Sequence, residues 1–307
     1  MEKIQLGNSD LSVSRLVLGC QRMGEKTVPE AASVLKAALA GGVNFFDHAD
    51  IYDGGESEVR FGEAFARLGL TRQAVYLQSK CGIRDGFYDL SPEHIMESVE
   101  GSLKRLGTDY LDVLLLHRPD ALMVPEEVGR TLDDLKTRGM VRWFGVSNHS
   151  SSKLELAFSK VTVQPVPIIN QLQLSLSHAD ILSADLNCNR SGAQGSDHTG
   201  YVLDYCQTRG ITVQAWSPLQ RSSGNGSFIG APDQLELNAK LSELAVKYSV
   251  SPEAVAIAWL LRHPAKIQPI IGTMNPVRIT ALCKATQIQL TRQEWYGLYR
   301  AGQHFLP

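Results

Sequence analysis

The sequence predicts an α/β chain folded as a (β/α)8 barrel, a TIM barrel, behind a short N-terminal β-hairpin. Two observations carry that prediction. Apolar, strand-like runs recur at 16–19, 43–47, 75–80, 111–117, 141–146, 167–171, 211–216 and 267–271, and helical patterns fill the intervals. About eight strand–helix alternations within 307 residues match a closed parallel barrel. The competing open, doubly wound sheet usually begins with Gly-x-Gly-x-x-Gly after its first strand. Neither that string nor a Walker-type phosphate loop occurs. With no strong linker and no internal repeat, one domain over 1–307 is expected.

The elements follow in order. Lys3-Ile4-Gln5-Leu6 and Leu11-Ser12-Val13-Ser14-Arg15 alternate in polarity around Gly7-Asn8-Ser9-Asp10, the pattern of a hairpin. A helix over 29–40 ends at Gly41-Gly42. The clearest helix starts at Ser91-Pro92-Glu93, where Ser91 can cap free N–H groups and Pro92 suits the first helical position. Ile95, Val99, Leu103 and Leu106 then share one face, and Gly107 stops the helix. A third helix over 125–138 ends at Gly139. Two long loops, 174–200 and the Gly/Ser-rich 219–233, are placed to shape a site at one end of the barrel.

Composition narrows the function classes. Hydrophobic residues make up 43% and charged residues 20%, enough for a sizeable core. The net charge of −2, from 30 basic and 32 acidic residues, points to neither a nucleic-acid nor an acidic-membrane partner. Cys20, Cys81, Cys188, Cys206 and Cys283 are odd in number and widely spaced, as expected of reduced thiols in the cytoplasm. The N-terminus lacks the apolar core of a signal peptide, and no run approaches the roughly 18 apolar residues of a membrane span.

The chemistry gathers at the strand ends, where a barrel keeps its reactive groups. Asp47, Lys80 and His117 each close an apolar run, and Tyr52 lies one short loop after Asp47. A phenol beside a lysine, a carboxylate and an imidazole can deliver a proton to a carbonyl oxygen that receives a hydride. The later strands end in Gly145-Val146-Ser147-Asn148, Ile169-Asn170-Gln171, Ala215-Trp216-Ser217-Pro218 and Ile271-Gly272-Thr273. Taken singly, Asp47 and Lys80 read equally well as a structural pair, and a lone His117 or Tyr52 reads better as a core or loop residue.

Taken together, Phe46-Asp47-His48-Ala49-Asp50-Ile51-Tyr52, Lys80, Leu116-His117-Arg118-Pro119-Asp120, Gly145-Val146-Ser147-Asn148, Asn170-Gln171 and Ala215-Trp216-Ser217-Pro218-Leu219 resemble the aldo-keto reductase superfamily in order and spacing. The resemblance implies an enzyme that interconverts carbonyls and alcohols with NADPH and no metal. It implies Tyr52 as general acid, Lys80 lowering the phenol's pKa, Asp47 anchoring Lys80, and His117 orienting the substrate oxygen. On the cofactor side it implies Trp216, where many members carry Tyr, stacked on the nicotinamide. Ser147, Asn148 and Gln171 would bind the carboxamide, and Ser217, Pro218, Leu219, Gln220 and Arg221 would lead the loop across the pyrophosphate. Gly224-Asn225-Gly226 would give that loop its flexibility.

Ile271, Gly272, Thr273 and Arg278 lie in the segment that resembles the family's site for the adenosine 2′-phosphate. Gly272 stands where many members have Lys, and Ala281 and Leu282 where Glu and Asn often contact the adenine. NADPH is therefore expected as cofactor, with NADH accepted at lower affinity. Met23 and Arg118 are the expected substrate contacts in an open site for small aldehydes or ketones. A monomer is the family's commoner form. Two rivals compete: a cofactor-binding redox sensor or channel-associated module of the same fold, and a metal-dependent hydrolase using His48, Asp50 and His117.

Overall fold

The structure is a computed structural model, and it describes residues 1–187, 197–221 and 226–306. Strands β1 (Lys3–Gln5) and β2 (Ser12–Ser14) form the antiparallel hairpin. Eight strands close the barrel: β3 (Val17–Gly19), β4 (Phe45–Asp47), β5 (Tyr76–Cys81), β8 (Leu111–Leu116), β9 (Val141–Ser147), β10 (Ile169–Gln173), β11 (Thr212–Trp216) and β12 (Gln268–Ile271). Every pairing between them is parallel, and β12 returns to β3 to complete the ring. A second small hairpin, β6 (Ile83–Arg84) with β7 (Phe87–Tyr88), projects just beyond β5.

The helices that separate the barrel strands carry their own start and stop signals. Helix α1 (Val28–Ala40) begins with a reciprocal Thr27–Glu30 capping box and Pro29 in its first turn. After α2 (Glu56–Arg67), helix α3 (Pro92–Leu106) starts where the Ser91 hydroxyl accepts the His94 N–H. It stops at Gly107, whose φ of 65° lies in the left-handed region that glycine enters without steric cost. Helix α4 covers Pro125–Thr137 and α5 covers Ser151–Phe158. The remaining helices are α6 (Asp180–Leu186), α7 (Val202–Arg209), α8 (Leu235–Tyr248), α9 (Pro252–Leu261), α10 (Pro276–Cys283) and α11 (Arg292–Ala301). Among the described residues no single helix is long and apolar enough to cross a membrane; α8 and α9 reach that length only together, across a 90° bend.

Three layers fill the barrel along its axis. At the end where the strands begin, Leu6, Leu11 and Val13 of the hairpin pack with Val17, Phe45, Val113 and Ile169. The hairpin thus plugs that end with apolar side chains, each worth about 1.5–3 kcal/mol when fully buried. The middle layer is polar and belongs to glutamines. The opposite end, where the strands finish, carries the charged groups.

Outside the barrel a buried carboxylate joins three elements. Glu58 of α2 is fully buried; it accepts the Ser79 hydroxyl of β5 at 2.6 Å and the Arg105 Nε–H of α3 at 2.8 Å. Removing the guanidinium leaves a buried charge short of its counter-ion. Arg105→Met is expected to lower unfolding stability by about 3–5 kcal/mol, read as a fall in the urea midpoint at unchanged slope. A midpoint equal to that of the unsubstituted chain would show that Glu58 does not depend on this pair.

Candidate active site

Neighbouring strands β4, β5 and β8 bring Asp47, Lys80 and His117 to one side of the barrel mouth. Tyr52 reaches them from a tight turn after β4. That turn runs through Asp53, Gly54 and Gly55 at φ of 51°, 62° and 96°, a left-handed stretch that two glycines make accessible. Lys80 is buried, and its ammonium spends all three hydrogens. It donates to Asp47 Oδ2 at 2.8 Å, to the His48 carbonyl at 2.7 Å and to Tyr52 Oη at 2.9 Å. The His117 ring stands edge-on to the Tyr52 ring with centroids 6.1 Å apart.

The electrostatics follow from burial and neighbours. Burial opposes the Lys80 charge, but Asp47 and Tyr52 outweigh it and hold the amine above its ordinary pKa. Burial also raises the Tyr52 phenol; Lys80 pulls it down and Asp47 pushes it up, with a net rise. Lys80 lowers the phenol's pKa as expected, but desolvation exceeds the lysine's attraction and the net direction is upward. The phenol is protonated at neutral pH, the state a proton donor needs. Burial, then Lys80 and Arg118, push His117 down to about 2, so its imidazole is neutral. Its Nδ1 is buried without a partner.

The strands on the other side carry the remaining candidates. Trp216, half-buried at the end of β11, donates its indole N–H to Asn148 Oδ1 at 3.0 Å. Asn148 in turn donates to Ser147 Oγ at 2.8 Å, and Ser147 donates to the Gln171 carbonyl at 2.9 Å. Asn148 sits at φ 60°, a left-handed position that asparagine tolerates better than most residues. The indole plane is thus locked by a chain running across β9 and β10. Ser217 and Gln220 pair at 3.2 Å, Pro218 is buried and Leu219 half-buried. At the end of β12 Ile271 is buried, and after it Gly272 is exposed and Thr273 half-buried. Asn275 caps α10, and Arg278 is exposed with no bonding partner for its guanidinium among the described residues.

Several expectations need correcting. Met23 is 0% exposed and packed in the main core, so it cannot touch a substrate here; Arg118 is half-exposed beside His117. Gln171 spends both amide hydrogens inside the barrel, on Asp47 Oδ1 and Gln214 Oε1, which leaves only its carbonyl oxygen for a carboxamide. Arg221 is already paired with both oxygens of Asp233 at 3.0 Å. His48 is fully buried against Phe61 with neither ring nitrogen bonded, and Asp50 lies beside Ser98 and His94 of α3. Among the described residues no three His, Cys, Asp or Glu side chains converge on an ion site, as the rival metal reading would need. Gly224, Asn225 and residues 188–196 of loop 174–200 lie outside the described residues.

The expected site omits Gln78, which donates to Asp47 from the interior, and Gln214 and Gln268, which are bonded in sequence beyond it. Their signal is present in the chain: each interrupts an otherwise apolar run, and Gln78 precedes Lys80 by two positions, the spacing that puts two side chains on one strand face. It also omits Arg22, which donates to the Gly272 carbonyl between the neighbouring ends of β3 and β12.

Comparison with known proteins agrees with this geometry. The model of the Aldo/keto reductase family matches residues 15–300. A 6-dehydroglucose reductase of Agrobacterium fabrum is 36% identical over 97% of both chains, and oxidoreductase YdhF of Escherichia coli is 32% identical over 98% of both. The thermostable aldo-keto reductase Tm1743, solved with the inhibitor epalrestat, superposes with a TM-score of 0.80 at 26% identity, covering 98% of this chain and 100% of that one. With a closed parallel barrel, the charged constellation at its mouth and a family match across nearly its whole length, this chain belongs to the aldo/keto reductase family.

Proposed function

We propose that this chain reduces the carbonyl of a small aldehyde or ketone with NADPH, with Tyr52 as the proton donor. The observation that carries the reading is the Lys80 ammonium held between Asp47 Oδ2 and Tyr52 Oη at 2.8 and 2.9 Å, with a neutral His117 alongside.

The residues present fit a nicotinamide dinucleotide phosphate. The locked, half-exposed indole of Trp216 offers a flat surface for a planar ring. Space above Gly272 is open, with only the tip of Arg22 within 4 Å of where a Cβ would sit. The guanidinium of Arg278 is available for a phosphate. The same residues leave NADH as a weaker alternative, since it lacks the group that Arg278 would pair with.

When bound, the dinucleotide supplies a hydride to the carbonyl carbon. The chain handles the oxygen. His117 and Tyr52 donate hydrogen bonds that hold the carbonyl and favour the charge developing on it. Tyr52 then gives up its proton to that oxygen, and Lys80, fixed by Asp47, stabilises the phenolate left behind. In alcohol oxidation the same groups run in reverse, with the phenolate accepting the hydroxyl proton.

A sugar-type aldehyde is the finer substrate proposal. It is supported by two relatives described as 6-dehydroglucose reductases, 36% and 33% identical to this chain. A cytoplasmic protein working as a monomer completes the reading.

Four measurements test it. Wild-type chain is expected to oxidise NADPH over many turnovers with small aldehydes, an aromatic dione and 6-dehydroglucose. Tyr52→Phe is expected to lose about 10²- to 10⁴-fold in kcat; unchanged turnover in that variant would remove Tyr52 as the acid. Arg278→Ala is expected to raise KM for NADPH about tenfold or more while leaving KM for NADH in place; equal effects on both would detach Arg278 from the 2′-phosphate. Because His117 is neutral down to about 2, kcat/KM should show no acid limb from it. A limb near the free imidazole value of about 6.5 that disappears in His117→Gln would contradict that assignment.

A further inference from the structure

The middle layer of the barrel holds four glutamines, Gln78 of β5, Gln171 of β10, Gln214 of β11 and Gln268 of β12, and none is more than 3% exposed. Their amides form one connected chain. Gln268 donates to the Ser14 carbonyl of the hairpin at 2.7 Å, and Gln214 donates to Gln268 Oε1 at 2.9 Å. Gln214 Oε1 accepts from both Gln78 and Gln171 at 3.0 Å. The second amide hydrogens of those two converge on Asp47 Oδ1, at 2.5 Å from Gln78 and 3.0 Å from Gln171. Lys80 takes the other oxygen.

This arrangement is not what stability alone would select. Gln78 Oε1 is buried and accepts nothing, and an unpartnered buried carbonyl carries a desolvation cost. Apolar side chains would fill the same layer without that cost, as they do one layer below. What the amides supply, and apolar groups cannot, is two N–H donors on the carboxylate that holds Lys80. A carboxylate that accepts amide hydrogens is fixed in direction.

We propose that Gln78, Gln214 and Gln268 are positioning residues that hold Asp47 oriented from beneath, and so set the acidity of Tyr52 through Lys80. The proposal rests on the reading of Tyr52 as proton donor. Tyr52 is faced by Lys80 from β5, Asp47 from β4, Cys20 after β3 and His117 after β8, with Arg118 next to His117. Lys80 favours the phenolate, whereas Asp47 opposes it. Two amide hydrogens draw the Asp47 charge away from the phenol and leave the lysine's attraction dominant among the charges. Without them the undamped carboxylate opposes the phenolate more strongly, and the freed pair orients the ammonium less well. Both changes raise the phenol's pKa.

The test is the pH profile of alcohol oxidation with NADP⁺, where rate rises as the Tyr52 phenolate forms. Gln78→Leu and Gln214→Leu are compared with wild type, each checked by thermal melting. Both are expected to move the rising limb upward by about half to one pH unit and to lower kcat at neutral pH, with cofactor affinity retained. Gln214 bonds only to other glutamines, so its variant carries the test if Gln78→Leu does not fold. Folded variants that keep the wild-type limb would overturn the proposal. A wild-type chain without turnover would overturn the reductase reading instead. The network would then be read from the Tyr52 phenolate titration, taken as the ultraviolet difference between the chain and its Tyr52→Phe variant. An upward shift in Gln78→Leu would support the network, and none would overturn it.

Discussion

The ion pair between Lys80 and Asp47 is the constraint on which the rest of the structure turns. Both groups are buried, where an isolated charge is costly, so loss of either leaves the other without its counter-ion. The barrel makes the pair possible by closing β4 beside β5 in fixed register, with Asp47 opposite Gln78. That register puts the carboxylate and the lysine, two residues further on, on the same inward face. Once paired, Lys80 has one hydrogen left after the His48 carbonyl, and Tyr52 takes it. The phenol's environment therefore follows from a pairing made by the fold, not by the loop that carries the phenol.

The layers of the barrel interior serve the same end. The hairpin plug excludes water from below with apolar side chains, and the glutamine layer links that plug to Asp47 through amides. The mouth keeps Trp216 in a single orientation through Asn148 and Ser147. On the outside, the Glu58–Arg105–Ser79 cluster ties α2 and α3 to β5, the strand that carries Lys80. Rigid elements thus hold the charged groups.

Much of this was legible in the chain. All eight barrel strands lie within three residues of the expected runs at either end, because parallel strands buried on both faces read as mostly apolar stretches. Ser91, Pro92 and Gly107 mark α3 as expected, since capping chemistry is local. Asp47, Lys80 and His117 were visible as polar groups ending apolar runs. The net direction of the Tyr52 pKa was not visible, because burial depends on packing from other elements. Met23 looked available because it follows a strand end, yet its side chain turns into the core. The glutamine network was missed for a different reason: a single glutamine in a strand has no meaning until the closed ring brings four of them together.

The most direct test of the account is Lys80→Met, read by NADPH binding and by single-turnover NADPH oxidation with a reactive aldehyde. Lysine carries no part of the proposed cofactor site, so binding should persist while the oxidation rate falls by at least about 100-fold. A variant that binds NADPH and oxidises it at the wild-type rate would contradict the claim that the buried pair governs proton delivery by Tyr52.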